Sequence, residues 1–467
     1  MTTTETNTTP TTQPTPTDAD TITTHTLLNC LTRELCTPNH LHTTNNHLHI
    51  TLPHTNTQLR IHLRRPSHTG TPRFHGPLHE HHNNTWQPIN AERLAHLINT
   101  ELTHHTGHTN DEFIDQVRAS LHHIHLATTH HTTHTPRTGT PHLNYINSEQ
   151  TLIHGHRFHP TPKAHTGSDT HWHRYAPEAT TSFPLRNLAI REHLIHEETA
   201  HDNATKPLDR HAPPTPHGYR YLPAHPWQWQ LLATNPTLQH ALTRRDIIDL
   251  GPGARPWHPT ASVRTLYNGH EFLKFSLAIR ITNCIRTNAT YELTGSITLT
   301  KHLKNTLDTL HHTHPNTTIL REPAYRTIAL PNPDGTTNTT LFEGLSVILR
   351  EGLQHHRQPN ETPYLAAAIA EEHPHSNAHA SHLLHNATPE TIRTWWQTYN
   401  NLLIPTVLTA YLDHGLILEP HLQNVIVCTD PTGTPTRMIF RDLEGTKLLH
   451  HHHTELLNNL PHTSPPP

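Results

Sequence analysis

The stretch of the sequence with the most chemistry in it runs from residue 259 to residue 286. It reads PTASVRTLYNGHEFLKFSLAIRITNCIR and predicts a β-hairpin. Residues 262–267 and 272–281 are the predicted strands, and Asn268 and Gly269 between them tolerate the positive φ of a tight turn. The polar residues of this hairpin are of types that bind anions, so the hairpin is the first candidate for a functional site.

Cations and hydroxyls share one face of the predicted hairpin. Apolar residues occupy alternate positions on the second strand, which leaves Lys274 on the opposite face, while Ser262 and Arg264 share a face of the first strand. Thr282 and Asn283 are good helix N-cap residues, with Arg286 in the first turn of the helix they would begin. Such a group suits a polyphosphate. An ordinary amphipathic hairpin with a solvated basic face explains the same pattern.

A second polar group follows near the C-terminus. The sequence predicts a long helix from Thr388, a polar loop, a strand, a Pro/Gly turn and a second strand. Two neighbouring strand ends then present side chains that can ligate metals or donate hydrogen bonds: His421, Gln423, Asn424, Asp442 and Glu444. Oxygen-rich groups of this kind suit Mg²⁺ bound to a nucleotide.

Two further segments precede the hairpin. An irregular loop carries His156, His159 and Lys163, and residues 221–230 predict an extended, proline-bounded segment that brings His225 close to Gln228. A structural corner with a buried histidine explains the second segment equally well.

Composition limits the possible functions. A chain of 467 residues can hold two or three domains, and its net charge of −4 supplies no global basic field for nucleic acid or an anionic membrane. The four cysteines form no C-x-x-C pair, which indicates small buried thiols in a reducing compartment. No apolar run is long enough to span a bilayer, and the N-terminus lacks the features of a signal peptide, so we expect a cytoplasmic protein.

The 56 histidines are spread along the whole chain beside abundant Thr, Asn and Pro, while glycine is scarce at 17 residues. Thr, His, Asn and Pro all have codons made of A and C only. We therefore interpret the histidines as a consequence of a skewed coding strand rather than as a metal store, which would concentrate them in tracts.

Five separated blocks of this sequence resemble the IucA/IucC family of NRPS-independent siderophore synthetases. The blocks lie in the family's order between residues 147 and 445. They are His156 with His159-Pro160 and Lys163; His225-Pro-Trp-Gln228; Ser262-x-Arg264-Thr265; Lys274 through Thr282-Asn283 to Arg286; and Glu419-x-His421-x-Gln423-Asn424 with Arg441-Asp442-x-Glu444-Gly445. Five blocks in order make a chance match improbable.

The resemblance implies an α+β fold shaped like a cupped hand, with a thumb, a β-sheet fingers domain and a distantly kinase-like helical palm. Applied to this chain, it divides the sequence into a disordered tail at 1–24, a thumb-like domain at 25–145, fingers with the phosphate-binding hairpin at 146–340, a C-terminally short palm at 341–460 and a tail at 461–467.

The resemblance also implies an activity. Family members use ATP to adenylate a carboxylate, often one arm of citrate, release pyrophosphate and join the acyl group to an amine or alcohol. The implied roles fall into four groups. Ser262, Arg264, Thr265 and Asn283 would contact the nucleotide. Lys274 and Arg286 would stabilise charge on the reacting α-phosphate, over which His159 and Lys163 would close. Gln423, Asn424, Asp442 and Glu444 would hold Mg²⁺ or contact the nucleotide. His421 would likewise bind Mg²⁺ or contact the nucleotide and the acid. On chemical grounds, a histidine near the acyl carbon can also take the proton of the attacking amine, and His421 is the first candidate for that role.

Two alternatives remain open at this point. A kinase-like small-molecule phosphotransferase shares the helix–loop–strand–Asp order, although the chain has no glycine-rich phosphate loop. A non-catalytic, histidine-rich metal-binding relative is the other. The expected partners are small carboxylate and amine or alcohol substrates, with neither nucleic acid nor membrane, and a homodimer is left open.

Overall fold

The computed structural model describes residues 18–67, 69–134, 139–371 and 378–459. The predicted tails therefore lie outside the described residues over 1–17 and 461–467. The remainder of the first tail is not disordered: residues 18–24 form the start of a helix that buries Ala19, Thr23 and Thr24. Threonine-rich composition favoured disorder, but these short side chains pack within a folded unit.

The described chain divides into two compact units. Of the described residues, the first contains those from 18 to 129 and 154–165, and the second contains those from 130 to 153 and from 166 to 459. The predicted boundary between fingers and palm near residue 340 falls inside the second unit and stays a prediction.

The first unit combines helices with one antiparallel sheet. Its helices are α1 (Asp18–Cys30), followed by a π-helical turn (Leu31–Leu35), α2 (Ala91–Thr106) and most of α3 (Phe113–Thr133). Its strands, in sheet order, are β1 (Leu41–Thr44), β2 (His47–Thr51), β3 (Gln58–Arg65), β4 (Arg73–His82) and β5 (Thr85–Ile89). Alternating apolar and polar residues over 47–63 predict two strands, and the spacing of apolar residues predicts helices over 89–106 and 111–132. The structure confirms these elements. Alternate apolar side chains of β2 and β3 pack with α1 and α2 in one core.

The second unit opens with elements that support the site. These are α4 (Pro141–Gln150), α5 (Asp169–Tyr175), β6 (Phe183–Arg191), β7 (Ile195–Thr199), α6 (Lys206–Asp209), β8 (Tyr219–Ala224), α7 (Pro226–Leu232), α8 (Pro236–Thr243), β9 (Ile247–Pro259), β10 (Thr265–Tyr267), β11 (Phe272–Phe275), β12 (Leu277–Ile281) and β13 (Cys284–Arg286).

The remaining elements complete that unit. They are α9 (Thr290–His302), α10 (Lys304–Thr313), β14 (Thr317–Ile319), β15 (Ala324–Ile328), α11 (Thr339–Gly344), β16 (Val347–Arg350), β17 (Thr362–Leu365), α12 (Ala366–Ile369), α13 (His379–Leu383), α14 (Pro389–Leu412), β18 (Leu416–Ile417), β19 (Val425–Thr429), β20 (Pro435–Phe440), β21 (Lys447–Leu448) and α15 (Thr454–Asn459).

Eight strands of the second unit form its main sheet, in the order β7-β15-β16-β11-β10-β9-β6-β8, with every pair antiparallel. The sequence of residues 185–202 predicts a helical stretch, and this prediction is wrong, because the segment forms β6 and β7. The short apolar run of β6 suits a buried helix or a buried strand equally, and pairing on both edges decides for the strand.

A smaller four-stranded sheet has the order β14-β20-β19-β17, with β14 and β20 parallel. The long helix α14 packs on it through Tyr399 and neighbouring apolar residues. The predicted N-cap is confirmed, since the Thr388 side chain accepts a hydrogen bond from Thr391 N. Pro405 lies inside α14, which continues to Leu412.

The predicted hairpin is only partly correct. β10 and β11 pair as expected across Asn268 and Gly269, with Tyr267 opposite Phe272. The return strand, however, ends at Phe275, and β12 pairs separately with β13. Just past the break the backbone bonds a side chain from outside the hairpin, since Gln228 Oε1 accepts a hydrogen bond from Ala278 N at 2.8 Å.

Arg326 is a charged group within the main sheet, and it makes the stability of the sheet testable. Its side chain is fully buried and donates to Glu197 Oε2 at 2.8 Å and Asp209 Oδ1 at 2.7 Å. We expect Arg326→Met to lower the free energy of unfolding by about 3 kcal/mol, because charged hydrogen-bond partners lose their donor. Urea unfolding measures this. Arg393→Met, which removes an exposed pair with Glu390, should cost less than about 1 kcal/mol; equal losses would contradict the prediction.

Candidate functional site

A buried lysine joins the main sheet to the C-terminal strand ends. Lys274 lies on β11 with its side chain 5% exposed, and its Nζ is 3.2 Å from Asp442 Oδ1 and also hydrogen-bonded to Glu444 Oε2. Burial lowers the pKa of Lys274, but the two carboxylates outweigh it and hold that pKa above its usual value. The ammonium group is therefore charged, and the structure brings these three predicted residues together.

The charged cluster continues through two buried residues that the sequence analysis missed. Arg350 on β16 donates to Asp442 Oδ1 at 2.6 Å, and its other contacts go to the fully buried Glu322 at 2.6 and 2.9 Å. Burial raises the pKa of Asp442, but Lys274, Arg350 and Arg264 together bring it far below its usual range. Asp442 consequently remains an anion at any physiological pH.

Arg264 reaches the same cluster from a strained turn. Val263 has φ +66°, a conformation that a β-branched residue rarely adopts, and Arg264 N donates to Ser262 O at 2.8 Å. The guanidinium donates from Nη1 to Asn288 Oδ1 at 2.6 Å. Burial lowers the pKa of Arg264, and the nearby carboxylates of Glu444 and Glu292 oppose that effect.

Asn288 is a third buried residue of the site that the sequence did not predict, after Arg350 and Glu322. Besides holding Arg264, its Nδ2 lies 3.3 Å from Lys274 O and 3.1 Å from Ser346 Oγ, and its backbone N donates to Ser276 Oγ at 2.7 Å. It thus fixes one predicted cation relative to the backbone of the other. Nothing in the local sequence distinguishes this asparagine from many others in the chain.

The predicted hydroxyls of the turn are committed to local structure. Ser262 Oγ accepts from Thr265 N at 3.2 Å and lies 3.2 Å from Thr260 Oγ1. Thr265 is buried opposite Lys274 in the β10–β11 pairing. Both residues therefore shape the turn that presents Arg264, and direct contact with a ligand is not required for that role.

The predicted helix N-terminus at Thr282 and Asn283 is wrong. Thr282 has φ +61° and, with the exposed Asn283, forms the turn between β12 and β13. The helix starts at Thr290 instead, capped by Ala289 and Glu292. Arg286 lies on β13, where its Nη2 donates to Thr282 Oγ1 at 3.3 Å, and its charge lowers the pKa of Arg264. Arg286 is therefore close to Arg264, but a helix dipole does not assist it.

A buried arginine ties the loop at 419–424 to the strand end that carries Asp442. Arg441 hydrogen-bonds Gln423 O at 2.6 and 3.0 Å and pairs with the fully buried Glu149. Asn424 Nδ2 is 3.2 Å from His421 Nε2, and the His421 side chain is otherwise exposed. The predicted residues His421, Gln423 and Asn424 thus lie in one loop, which Arg441 holds beside the strand end that carries Asp442.

The segment around His225 is structural support. It is helical rather than extended from Pro226, because His225 caps α7 by accepting from Trp227 N at 3.2 Å. Gln228 holds the start of β12, as described above. His225 is buried, and burial lowers its pKa to about 3. Of the two explanations of this segment, the contacts favour the structural corner with a buried histidine.

The loop with His159 and Lys163 lies in the first unit. His159 Nδ1 accepts from Thr161 N at 3.1 Å, and Lys163 N donates to Ser120 Oγ at 3.1 Å. Their closure over the phosphates stays a prediction.

The alternating positive and negative side chains of this charged cluster determine which ligands it can bind. Three cations, Lys274, Arg264 and Arg350, alternate with three carboxylates, Asp442, Glu444 and Glu322, at the junction of two sheets. Cations that are partly neutralised in this way can exchange a carboxylate for a phosphate oxygen, and fixed guanidinium groups can bind phosphates bidentately. The arrangement suits an anionic ligand that carries its own metal ion.

Comparison with known proteins agrees with this chemistry. Residues 144–371 match the IucA/IucC family, and residues 393–466 match a ferric iron reductase FhuF-like transporter family. The rhizobactin siderophore biosynthesis protein RhbC of Rhizobium meliloti is 31% identical over 343 residues, or 68% of this chain. The chain belongs to the IucA/IucC family. A second relative in the family, L-2,3-diaminopropanoate–citrate ligase of Staphylococcus aureus, is 31% identical over 64% of this chain.

A solved structure of the family has the same fold. ATP-bound aerobactin synthetase IucA from a hypervirulent pathotype of Klebsiella pneumoniae superposes with a TM-score of 0.82 and 25% identity, covering 94% of this chain and 81% of that one. This confirms a mixed α/β fold of the IucA/IucC type. The chain covers only 57% and 54% of the lengths of the two curated relatives.

Neither alternative from the sequence gains support from these matches. Among the residues that the structure describes, no group of three or more His, Cys, Asp or Glu side chains is placed to hold a metal ion. Over the same residues, no helix combines the length and apolar character needed to cross a membrane.

The buried His225 makes the stability of the second unit depend on pH. An unfolded histidine takes up a proton below about pH 6.5, whereas the folded one resists until about pH 3. The free energy of unfolding should therefore decrease as the pH is lowered through this window. This group contributes up to about 1.4 kcal/mol per pH unit to that decrease. In His225→Asn, which retains a capping side chain, urea unfolding between pH 7 and pH 4.5 should show a shallower loss. Parallel losses in the two proteins would contradict the prediction.

Proposed function

We propose that this protein is an ATP-dependent synthetase that adenylates a small polycarboxylate and condenses it with an amine or alcohol. The observation that supports this proposal most is the cluster of Lys274 and Arg264 with Asp442 and Glu444. It occurs in a chain whose fold matches that of an ATP-bound synthetase. Citrate is the proposed acid, because relatives are named L-2,3-diaminopropanoate–citrate ligase and spermidine-citrate ligase. The product would belong to a siderophore or a related metabolite.

The first step joins two anions, and the cations of the site make that possible. A carboxylate oxygen of the acid attacks the α-phosphorus of ATP, the bond to the bridging oxygen breaks, and pyrophosphate leaves. Lys274, Arg264 and Arg286 neutralise the charge that gathers on the α-phosphate and hold the two reactants in line. Ser262 and Thr265 act through the turn that presents Arg264, and His159 and Lys163 are proposed to close over the phosphates.

The second step transfers the acyl group. The amine nitrogen, or the alcohol oxygen, attacks the acyl carbon, AMP leaves, and the nucleophile loses one proton. His421 is the proposed acceptor of that proton, since its ring is exposed beside Asn424 in the loop that Arg441 holds next to Asp442.

The residues around Asp442 fit a magnesium ion that arrives with ATP. Asp442 stays anionic, Glu444 supplies a second carboxylate, and Asn424 and Gln423 add amide oxygens, which are the ligand types Mg²⁺ prefers. When bound, such an ion would neutralise phosphate charge. On binding, Lys274 would exchange part of its carboxylate contacts for a phosphate oxygen.

The finer architecture is part of the same proposal. The first unit would be the thumb, the eight-stranded sheet the fingers, and the four-stranded sheet with α14 a kinase-like palm. We further propose a cytoplasmic enzyme, with homodimerisation to be established by its mass in solution.

A product assay tests the proposed reaction. Wild-type protein with ATP, Mg²⁺, citrate and hydroxylamine should release pyrophosphate and form AMP and a hydroxamate. Arg264→Met should lower kcat/KM by about 100-fold, as expected for one lost donor to a developing charge, while Arg264→Lys retains part of the rate because it keeps the charge but not the fork. Arg393→Met, at an exposed position of α14, is the matched control. Formation of ADP in place of AMP would refute the proposal in favour of a phosphotransferase.

Asp442→Asn separates the magnesium role from nucleotide binding. We expect the half-saturating Mg²⁺ concentration for pyrophosphate release to rise by about tenfold or more, because the variant loses an anionic ligand. ATP binding followed by calorimetry in EDTA should not weaken, since removing a negative charge relieves repulsion with the phosphates. Loss of ATP binding in EDTA would assign Asp442 a structural role instead.

A further inference from the structure

The two carboxylate oxygens of Asp442 have different surroundings. Lys274 Nζ lies 3.2 Å from Oδ1, and Arg350 Nη2 donates to the same oxygen at 2.6 Å. Oδ2 accepts no hydrogen bond from the described part of the chain, and the side chain is 35% exposed. The protein therefore holds one oxygen and leaves the other available to a ligand.

Backbone contacts fix residue 442 but do not set the direction of its carboxylate. Arg441 N donates to Asn424 O at 3.0 Å, and Gly445 N donates to Asp442 O at 3.2 Å. These bonds lie on either side of a residue whose φ is +73°, and neither of them involves its side chain. The direction of the carboxylate therefore depends on the two cations that bind Oδ1.

Those two cations differ in how firmly they are held. They project from the same face of neighbouring strands, since Lys274 is opposite Ile348 in the pairing of β11 with β16. Both carboxylates that bind Lys274 are partly exposed. Arg350 is only 3% exposed, and the fully buried Glu322 binds its Nε at 2.9 Å and its Nη2 at 2.6 Å. A ligand can therefore displace Lys274, whereas displacing Arg350 would leave a buried carboxylate uncompensated.

This difference becomes important when a nucleotide binds. In the proposed reaction, Lys274 gives up part of its contact with the carboxylates to reach a phosphate oxygen. Asp442 then keeps its orientation only if a second cation still holds Oδ1. Arg350 is suited to this role, because a planar guanidinium can bind two carboxylates in fixed directions and a lysine ammonium cannot.

We propose that Arg350 is a positioning residue for the magnesium site. Arg350 holds Oδ1 of Asp442, and Glu322 holds Arg350, so Oδ2 stays directed at an ion that arrives with ATP even after Lys274 has moved to a phosphate. Arg350 itself contacts neither the ion nor the nucleotide. This inference rests on the proposed use of ATP with Mg²⁺ and gives the buried pair a part in it.

ATP binding followed by calorimetry, once in excess Mg²⁺ and once in EDTA, tests the proposal. The variant combines Arg350→Met with Glu322→Leu, and we expect it to fold because apolar residues of similar volume often replace a buried ion pair without loss of stability. The dissociation constant in EDTA should not change, since the net charge is the same. The ratio of the EDTA constant to the Mg²⁺ constant should be lower than in wild type by about tenfold or more, as for the loss of an outer partner of a metal ligand.

Arg393→Met combined with Glu390→Leu is the matched control, because it makes the same two substitutions in an exposed ion pair. It should bind ATP like wild type under both conditions. An equal ratio in wild type and in the Arg350 variant would overturn this proposal and leave the proposed function intact. Weaker ATP binding by the Arg350 variant in EDTA would also overturn it, by assigning Arg350 a direct contact with the phosphates. Absence of ATP binding by wild type would refute the proposed function as well.

Arg350→Lys provides a second test, which is decisive if thermal unfolding shows that the double variant does not fold. The lysine keeps a positive charge beside Glu322, so this variant should fold. One ammonium group cannot hold Glu322 and Asp442 in fixed directions, and the ratio should fall by about threefold or more. An unchanged ratio in the folded Arg350→Lys protein would overturn the proposal.

Discussion

The burial of Lys274 between Asp442 and Glu444 is the interaction on which the rest of the site depends. A lysine taken out of water is costly unless opposite charges compensate it. Here the compensation comes from residues 168 and 170 positions later in the chain. The main sheet and the C-terminal strand end must therefore fold together before the charge is paired. Arg350 and Glu322 extend the alternation, so that each charge is held by its neighbour.

Residues with strained backbone conformations lie on both sides of that cluster. Val263, before Arg264, and Asp442 itself both have left-handed conformations, with φ of +66° and +73°. Such conformations cost about 1–3 kcal/mol each and persist only where surrounding structure imposes them. Asn288 supplies part of that structure by bonding both the Arg264 side chain and the Lys274 backbone. Strain and a buried amide thus act together to aim cations at one point.

The strand β11 and the turn before it serve two separate charged centres. Glu271 pairs with His211, and Lys274 pairs with Asp442 on the other side of the strand. Odd and even positions of an extended segment point to opposite faces, so three residues suffice to separate them. One rigid element therefore holds two separate charged centres that share no side chain.

The sequence by itself determined the family, the mixed α/β class, the long capped helix α14 and the β10–β11 hairpin, and it singled out Lys274, Arg264 and Asp442, whose roles in a site stay predictions. These follow from local patterns: alternation, capping, turn residues and motif spacing. Tertiary structure alone decided that β11 ends at Phe275, that Thr282 and Asn283 form a turn instead of a helix cap, and that Asn288, Arg350 and Glu322 complete the cluster. The reason is physical. A side chain such as Gln228 can satisfy a distant backbone donor, and a buried charge selects its partner across the fold, and neither effect has a periodicity that a sequence can display.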